Sequence, residues 1–193
     1  MIISLTGFMG CGKSSVGRRL SELLCCRFVD LDAEIEARCG CTVAEIFAKL
    51  GETEFRRIEK ETLKGILETS ENKLQIVVAL GGGAVMTKEC EEMVHEGTFC
   101  VYLRTSVDEL VGRLSGEAAG RPLLNTSSVT SSEVETSALR TRILDLMSKR
   151  ASTYERVAHL VIDTDDKSIE DLAAEIAEHY SASIEAMTMM MSS

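Results

Sequence analysis

A glycine-rich segment near the amino terminus carries the residue types that bind nucleotide phosphates. Residues 7–14 read GFMGCGKS, which fits the pattern G-x-x-x-x-G-K-[ST] and follows a predicted strand. Glycines let successive backbone N–H groups point at phosphate oxygens, and the start of the next helix adds its positive dipole end. Lys13 would reach the β- and γ-phosphates, and the Ser14 hydroxyl would bind Mg²⁺. Because no His accompanies Cys11, we interpret that residue as a small filler of the loop rather than a nucleophile.

The second predicted strand ends with the sequence FVDLD at 28–32, which contains two carboxylates. Residues two apart in a strand point to the same side, so Asp30 and Asp32 are expected to face one ligand at the carboxyl end of the sheet. One carboxylate could hold Mg²⁺ or its water while the other takes the proton of an attacking hydroxyl. The alternative is that Asp32 only caps a helix predicted over 33–38.

The middle of the chain adds groups that suit an anionic acceptor. Arg56 and Glu59 lie at the start of a helix face whose later residues are apolar. The Arg56 guanidinium could there bind a carboxylate in bidentate fashion while Glu59 orients the guanidinium. A surface ion pair is the alternative. Residues 81–83 are GGG and follow a strand, so a ligand could lie against bare backbone, or the segment could be only a loose turn.

Three further arginines complete the basic set. Arg121 precedes Pro122, the only proline, in the small and polar segment 115–132. Such a segment suits a lid that carries a cation over a transferring phosphate. Arg113 and Arg150 lie in predicted helices, and surface solvation is the alternative for all three.

The elements that must position these residues alternate along the chain. Short apolar runs predict strands at Ile2–Leu5, Phe28–Val29, Ile76–Leu80, Phe99–Leu103 and Leu160–Ile162. Helical patterns are found at Lys13–Leu24, Val43–Lys49, Glu52–Thr69, Lys88–His95, Val107–Leu114, Glu133–Glu155 and Ile169–Tyr180. The alternation predicts an α/β fold in three layers, with helices on both faces of a parallel sheet. A length of 193 residues favours a single domain over 1–193.

Composition narrows the class of partner. The net charge of −10 argues against nucleic acid and anionic membranes as partners, although a local basic pocket can still hold a small anion. Most of that charge lies after residue 162, where eight acidic residues accompany one lysine, and we interpret this end as a solvated helix face outside the site. The Met-rich tail 181–193 is expected to be a frayed helix end or disordered.

The cysteines and the amino-terminal residues predict the cellular compartment in which the protein is found. Seven cysteines without a C-x-x-C pair favour reduced thiols in the cytoplasm. The first residues lack the basic region of a signal peptide, and no apolar run is long enough to span a membrane.

Taken together, these motifs resemble the shikimate kinase family. The resemblance covers about residues 1–166 and runs through GFMGCGKSS, FVDLDAEIE, GETEFRRIE, ALGGGAV, VYLRTSVDELVGRL, GRPLL and KRASTYERVAHLVIDTDD. It implies ATP-dependent phosphorylation of the 3-hydroxyl of shikimate, a step toward chorismate and the aromatic amino acids. It also implies a monomeric P-loop kinase with five parallel strands in the order 2-3-1-4-5, a substrate-binding region at about 31–62 and a lid at about 113–132.

The resemblance assigns roles residue by residue. The implied ATP-binding set is Gly10, Cys11, Gly12, Lys13, Ser14, Ser15, Arg113 and Arg121. The implied shikimate-binding set is Asp32, Arg56, Gly82, Gly83, Arg121 and Arg150. The resemblance implies that Asp32 is the catalytic base and that Lys13 and Arg121 contact the transferred phosphate. It also implies that Ser14 and Asp30 bind Mg²⁺. The chain departs from the family pattern at Cys11, where Ala is usual, at Ser15, where Thr is usual, and in a longer segment at 125–132.

Two other functions compete with this interpretation. Another small-molecule kinase of the same fold, such as a gluconate kinase, would share the phosphate loop. Asp32, Arg56 and Arg150 argue against a gluconate kinase, because together they suit a carboxylate substrate whose hydroxyls are arranged as in shikimate. A regulatory domain that only binds nucleotide would not need Asp32, Arg56 and Arg121 together.

Overall fold

Five short strands form one parallel sheet in the order β2-β3-β1-β4-β5. The computed structural model describes residues 2–69, 75–115 and 132–191. The strands are β1 (Ile2–Thr6), β2 (Arg27–Asp30), β3 (Ile76–Ala79), β4 (Phe99–Arg104) and β5 (Leu160–Asp163). The predicted three-layer α/β class and the predicted strand order 2-3-1-4-5 are therefore confirmed. Arg121, Pro122 and most of the predicted lid lie outside the described residues.

The order of the strands reverses at β1, which lies between β3 and β4. Ile3 pairs with Val77 on one side and with Phe99 on the other. In open parallel sheets, ligands bind outside the carboxyl ends of the strands at such a reversal. The loop after β1 is therefore at the position where this fold binds ligands.

Helices cover both faces of the sheet. They are α1 (Lys13–Leu23), α2 (Leu31–Cys39), α3 (Val43–Thr69), α4 (Lys88–Gly97), α5 (Val107–Leu114), α6 (Ser132–Val157) and α7 (Ile169–Met191). Successive residues of β4 alternate between two buried clusters: Val101 and Leu103 pack with α1, α5 and α7, whereas Cys100 and Tyr102 pack with α3 and α4. Burial on both faces explains why the three central strands, β1, β3 and β4, are continuous apolar runs in the sequence.

Two helices differ from their predicted bounds by more than two residues. The helices predicted at Val43–Lys49 and Glu52–Thr69 are consecutive parts of α3, separated by a kink at Gly51, whose φ of 78° and ψ of 172° are not helical. The expected fraying or disorder after Tyr180 is wrong for the described part of the tail, because α7 continues to Met191. This stretch has no Gly or Pro and contains four Met and two Ala, which favour helix, and Ile184 packs against the core.

Among the described residues, no helix is both long enough and apolar enough to cross a membrane.

Candidate functional site

The phosphate loop connects β1 to α1 and curls through two left-handed glycines. Gly10 has a φ of 83°, and Gly12, which immediately precedes α1, has a φ of 96°. Glycine reaches this region at little cost, whereas other residues are strained there. The turn places the start of α1 at one end of a cavity of about 630 Å³. All six residues from Gly10 to Ser15 line this cavity, which we call the nucleotide cavity.

Lys13 and Ser14 are the first residues of α1. The Lys13 ammonium donates to the carbonyl oxygens of Gly7 and Phe8, at 2.9 Å each, and so lies across the loop. The Ser14 hydroxyl donates to Oδ2 of Asp30 at 2.5 Å. A cation and a pair of oxygen ligands thus line the same cavity.

The structure separates the roles of Asp30 and Asp32. Asp30 ends β2 and caps α2, since its Oδ1 accepts from the N–H of Asp32 at 3.1 Å and of Ala33 at 3.4 Å. The alternative that Asp32 is the cap is therefore wrong. The expectation that both residues lie in the strand is also wrong, because α2 begins at Leu31 and Asp32 lies in its first turn.

Asp32 has a raised pKa. Burial is the largest cause, the negative charge of Asp30 adds to it, and the positive charges of Lys13 and Arg56 oppose it. Both aspartates line the nucleotide cavity, so the carboxylates meet at one site even though a helix, rather than a strand, carries the second. A carboxylate whose pKa is raised is a stronger base toward a hydroxyl proton.

A second cavity of about 430 Å³ adjoins the first, and we call it the acceptor cavity. Met9, Asp32 and Gly82 line both cavities. The acceptor cavity has two arginines, Arg56 and Arg150, and an aromatic wall of Phe47 and Phe55, whose ring centroids are 4.5 Å apart. Because Asp32, Glu36 and Glu59 also line it, the acceptor cavity combines cationic and carboxylate groups with an apolar wall.

Arg56 and Glu59 form a buried pair rather than a surface ion pair. Arg56 Nη1 donates to Glu59 Oε2 at 2.6 Å, and the two side chains are 18% and 3% exposed. Burial raises the pKa of Glu59, and the Arg56 charge opposes that rise. The other oxygen of Glu59, Oε1, is buried with no hydrogen-bond partner among the described residues. Glu59 thus holds the guanidinium at the edge of the acceptor cavity.

The triple glycine allows side chains to approach its backbone closely. A Cβ on Gly83 would lie 2.6 Å from Nη1 of Arg56 and closer still to Nη2. A Cβ on Gly81 would lie 2.8 Å from Oε1 of Glu59 and 2.9 Å from Oδ1 of Asp32. A larger residue at either position would displace a charged group of the site.

The other predicted arginines are divided between the cavities. Arg150 is 8% exposed, lines the acceptor cavity and donates from Nη1 to the carbonyl of Gly82 at 3.3 Å. Arg113 lines the nucleotide cavity, pairs with Glu109 and donates to the Gly10 carbonyl at 3.4 Å. The position predicted for Arg121 in the site lies outside the described residues.

Sequence reasoning missed several residues that line the two cavities. Lys167, Ile169 and Leu172 belong to the acidic end that we expected to lie outside the site, yet they line the nucleotide cavity. Lys167 pairs with Glu175 at 2.6 Å. The single lysine in an otherwise acidic stretch was the available signal. Met9 and the aromatic wall carried no such signal, since their residue types are equally common in cores.

This fold, with a phosphate loop at the strand reversal and an adjoining cavity that contains two arginines, defines a small-molecule P-loop kinase. The family model for shikimate kinase matches residues 9–181. The chain belongs to the shikimate kinase family.

Relatives and solved structures agree with this membership. A shikimate kinase of Bordetella pertussis is 41% identical over 170 residues, which are 88% of this chain and 74% of the relative. A shikimate kinase of Thermus thermophilus is 36% identical over 176 residues, 91% and 88% of the two chains. The structure of shikimate kinase from Acinetobacter baumannii in complex with shikimate superimposes with a TM-score of 0.83 at 34% identity, and covers 94% of this chain and 93% of the other.

Proposed function

We propose that this chain is a shikimate kinase, which transfers the γ-phosphoryl group of ATP to the 3-hydroxyl of shikimate and releases ADP and shikimate 3-phosphate. The product leads toward chorismate and the aromatic amino acids. The observation that carries the proposal is the meeting of the two cavities at Asp32 and Gly82, with two arginines on the acceptor side. The related structure that holds shikimate supports the same acceptor.

The acceptor cavity has groups for each part of shikimate. Arg56 and Arg150 would bind the carboxylate, since guanidinium groups match carboxylates in bidentate fashion. Gly82 and Gly83 would let the ring lie against the backbone. Asp32 lines both cavities, so it would bind the reacting hydroxyl and take its proton as the oxygen attacks phosphorus.

The nucleotide cavity would hold the ATP phosphates. The N–H groups from Gly10 to Ser15 and the Lys13 ammonium would stabilise the charge that spreads over the phosphate oxygens during transfer. Arg113 would lie beside the adenine. From the family resemblance, Arg121 would add a further cation when a lid over about 113–132 closes.

Ser14 and Asp30 fit a magnesium ion. Magnesium prefers oxygen ligands, keeps several waters and uses one or two carboxylates together with substrate phosphates. The adjacent Ser14 hydroxyl and Asp30 carboxylate supply such a donor pair beside the phosphate loop. No cluster of three or more His, Cys, Asp or Glu side chains suited to a metal occurs in the described parts of the chain, in keeping with an ion held largely by phosphates and water. When bound, the ion would neutralise phosphate charge.

We propose in addition that the enzyme acts as a monomer in the cytoplasm, with small molecules rather than nucleic acid or membranes as its partners. The net charge of −10 and the seven cysteines, all free in the structure, support this proposal.

A coupled assay of ADP release tests the function. The protein is supplied with ATP, Mg²⁺ and, in parallel, shikimate, gluconate, other hydroxy acids and nucleosides. Among these acceptors, we expect only shikimate to give turnover above the background ATPase. Turnover with another acceptor and none with shikimate would overturn the proposal.

The pH dependence of kcat/KM for shikimate is expected to report the environment of Asp32, because this ratio depends on the pKa values of the enzyme before shikimate binds. Protonated Asp32 cannot accept the hydroxyl proton, so kcat/KM falls as the pH decreases through the pKa of this carboxyl. Because burial and Asp30 raise that pKa above its ordinary value of 3.8, the acid limb moves upward in pH. The limb is measured at shikimate concentrations well below the KM. A kcat/KM that stays constant until the protein unfolds would contradict this role.

The variant Gly83→Ala is expected to weaken shikimate binding. Its Cβ would lie 2.6 Å or less from both terminal nitrogens of Arg56, so the guanidinium must move. We expect the KM for shikimate to rise about tenfold, which corresponds to one impaired charge-assisted hydrogen bond, with the KM for ATP unchanged. Gly65→Ala in α3 is the matched control, because its Cβ would meet no atom within 4 Å. Equal KM values in the two variants would contradict the prediction.

A further inference from the structure

A tyrosine behind the acceptor cavity shares a hydrogen-bonding partner with one of the cavity's arginines. Tyr154 lies in α6, one turn after Arg150, and its side chain is 0% exposed. Its ring packs on Tyr102, with the ring centroids 5.2 Å apart. Since Tyr154 does not line either cavity, it can influence a substrate only through the groups that it contacts.

The Tyr154 hydroxyl contacts the middle of the triple glycine. It donates a short hydrogen bond to the carbonyl oxygen of Gly82, and Arg150 Nη1 donates to the same oxygen at 3.3 Å. The two side chains are therefore held together through one shared carbonyl oxygen.

The anchored carbonyl sets the direction of a neighbouring donor. The C=O of Gly82 and the N–H of Gly83 belong to one planar peptide and point in opposite directions. Because Tyr154 and Arg150 hold the Gly82 carbonyl oxygen, the direction of the Gly83 N–H is fixed as well. On its other side, Gly82 lies against the phosphate loop, since a Cβ there would be 3.4 Å from the Met9 nitrogen and 3.6 Å from the Gly7 oxygen.

The phenol is suited to a permanent donor role. Burial raises the pKa of Tyr154 well above its ordinary value of 10, although the nearby Arg150 charge opposes the rise. The hydroxyl therefore keeps its proton throughout the range in which the enzyme works. Its donation to Gly82 does not change with pH.

We propose that Tyr154 is a positioning residue for the acceptor carboxylate, because it holds Arg150 and the Gly82–Gly83 peptide in the geometry that binds this group. The proposal rests on the proposed function in naming shikimate as the carboxylate. Tyr154 touches neither substrate, and its effect is on binding of the acceptor.

The test is the variant Tyr154→Phe, which removes the hydroxyl and keeps the ring that packs on Tyr102. We expect the KM for shikimate to rise about five- to tenfold, the size of effect given by loss of one buried hydrogen bond. The KM for ATP is expected to stay constant, and kcat to change less than the KM for shikimate.

Tyr180→Phe is the matched control. Tyr180 is also buried, and it lines neither cavity. We therefore expect this variant to leave both KM values unchanged. If the two variants have the same KM for shikimate, the positioning role is overturned.

A measurement independent of turnover separates this inference from the proposed function. In hydrogen exchange followed by mass spectrometry, we expect Tyr154→Phe to speed exchange in the peptide that contains residues 81–86, relative to wild type and Tyr180→Phe. Unchanged exchange in that peptide would overturn the positioning role even if shikimate is the substrate. If exchange is faster but the wild-type protein does not phosphorylate shikimate, only the proposed function is overturned. Tyr154 would then still be the residue that holds the glycine segment 81–83 in place.

Discussion

Replacing Asp32 with Asn is expected to lower kcat by about 10²- to 10⁴-fold, the range for loss of a general base. Asn keeps the size and the hydrogen-bonding oxygen of the side chain but cannot take the proton of the hydroxyl. The KM for ATP is expected to stay within about twofold, because an effect confined to kcat marks an interaction made only in the transition state. Steady-state kinetics with each substrate varied in turn measure both values.

The same variant is expected to be more stable than the wild type. The folded state raises the pKa of Asp32, so the ionised carboxylate destabilises the fold above that pKa, and protonation removes the cost as the pH falls. Asn carries no charge, so the melting temperature at neutral pH should rise. Glu34→Gln is the matched control, because it removes one exposed charge from the same helical turn. A KM for ATP that rises as far as kcat falls would instead mean that Asp32 acts mainly in binding ATP.

Replacing Arg56 with Ala is expected to raise the KM for shikimate by about 10- to 100-fold, as charge-assisted hydrogen bonds to a carboxylate are lost. The KM for ATP should change little, since Arg56 lines the acceptor cavity and not the nucleotide cavity. Arg57→Ala is the control on the same helix. Arg57 is exposed and pairs with Glu54 and Glu61, so its loss should leave both KM values unchanged.

Arg56→Ala also leaves Glu59 buried without its partner. Breaking a buried ion pair on one side costs about 3 kcal/mol of stability, so a loss of binding could be confused with partial unfolding. The double variant Arg56→Ala with Glu59→Gln removes the unpaired charge. We expect it to regain stability while the KM for shikimate stays high. Recovery of that KM together with stability would contradict a direct role for Arg56 in binding.

Local patterns in the sequence predicted most of the fold. The strands were expected to within about two residues, and the helix over Val107–Leu114 has the predicted bounds. These elements could be predicted because their cause is local: short apolar runs between glycine and polar residues, and capping residues such as Ser106. The order of the strands came instead from the family resemblance, since pairing depends on residues far apart in the chain.

The site was predictable where one continuous segment forms it and less so elsewhere. The phosphate loop follows from the spacing of glycines around a single turn. Asp32 was expected in the site for the wrong geometric reason, because whether a chain leaves the sheet at residue 30 or 32 depends on the Asp30 cap. Lys167 was missed because its place beside the loop requires α7 to pack on α1.

The sequence by itself determined the α/β class, the phosphate loop and the set of charged residues available for chemistry. Only the tertiary structure decided that Arg56 and Glu59 form a buried pair, that Gly81 and Gly83 lie against charged side chains, and that Tyr154 and Arg150 share the carbonyl of Gly82. The physical reason is that burial and pairing are properties of groups brought together from distant parts of the chain. Residue type and spacing specify which charges exist, while packing decides which of them lose water and which keep it.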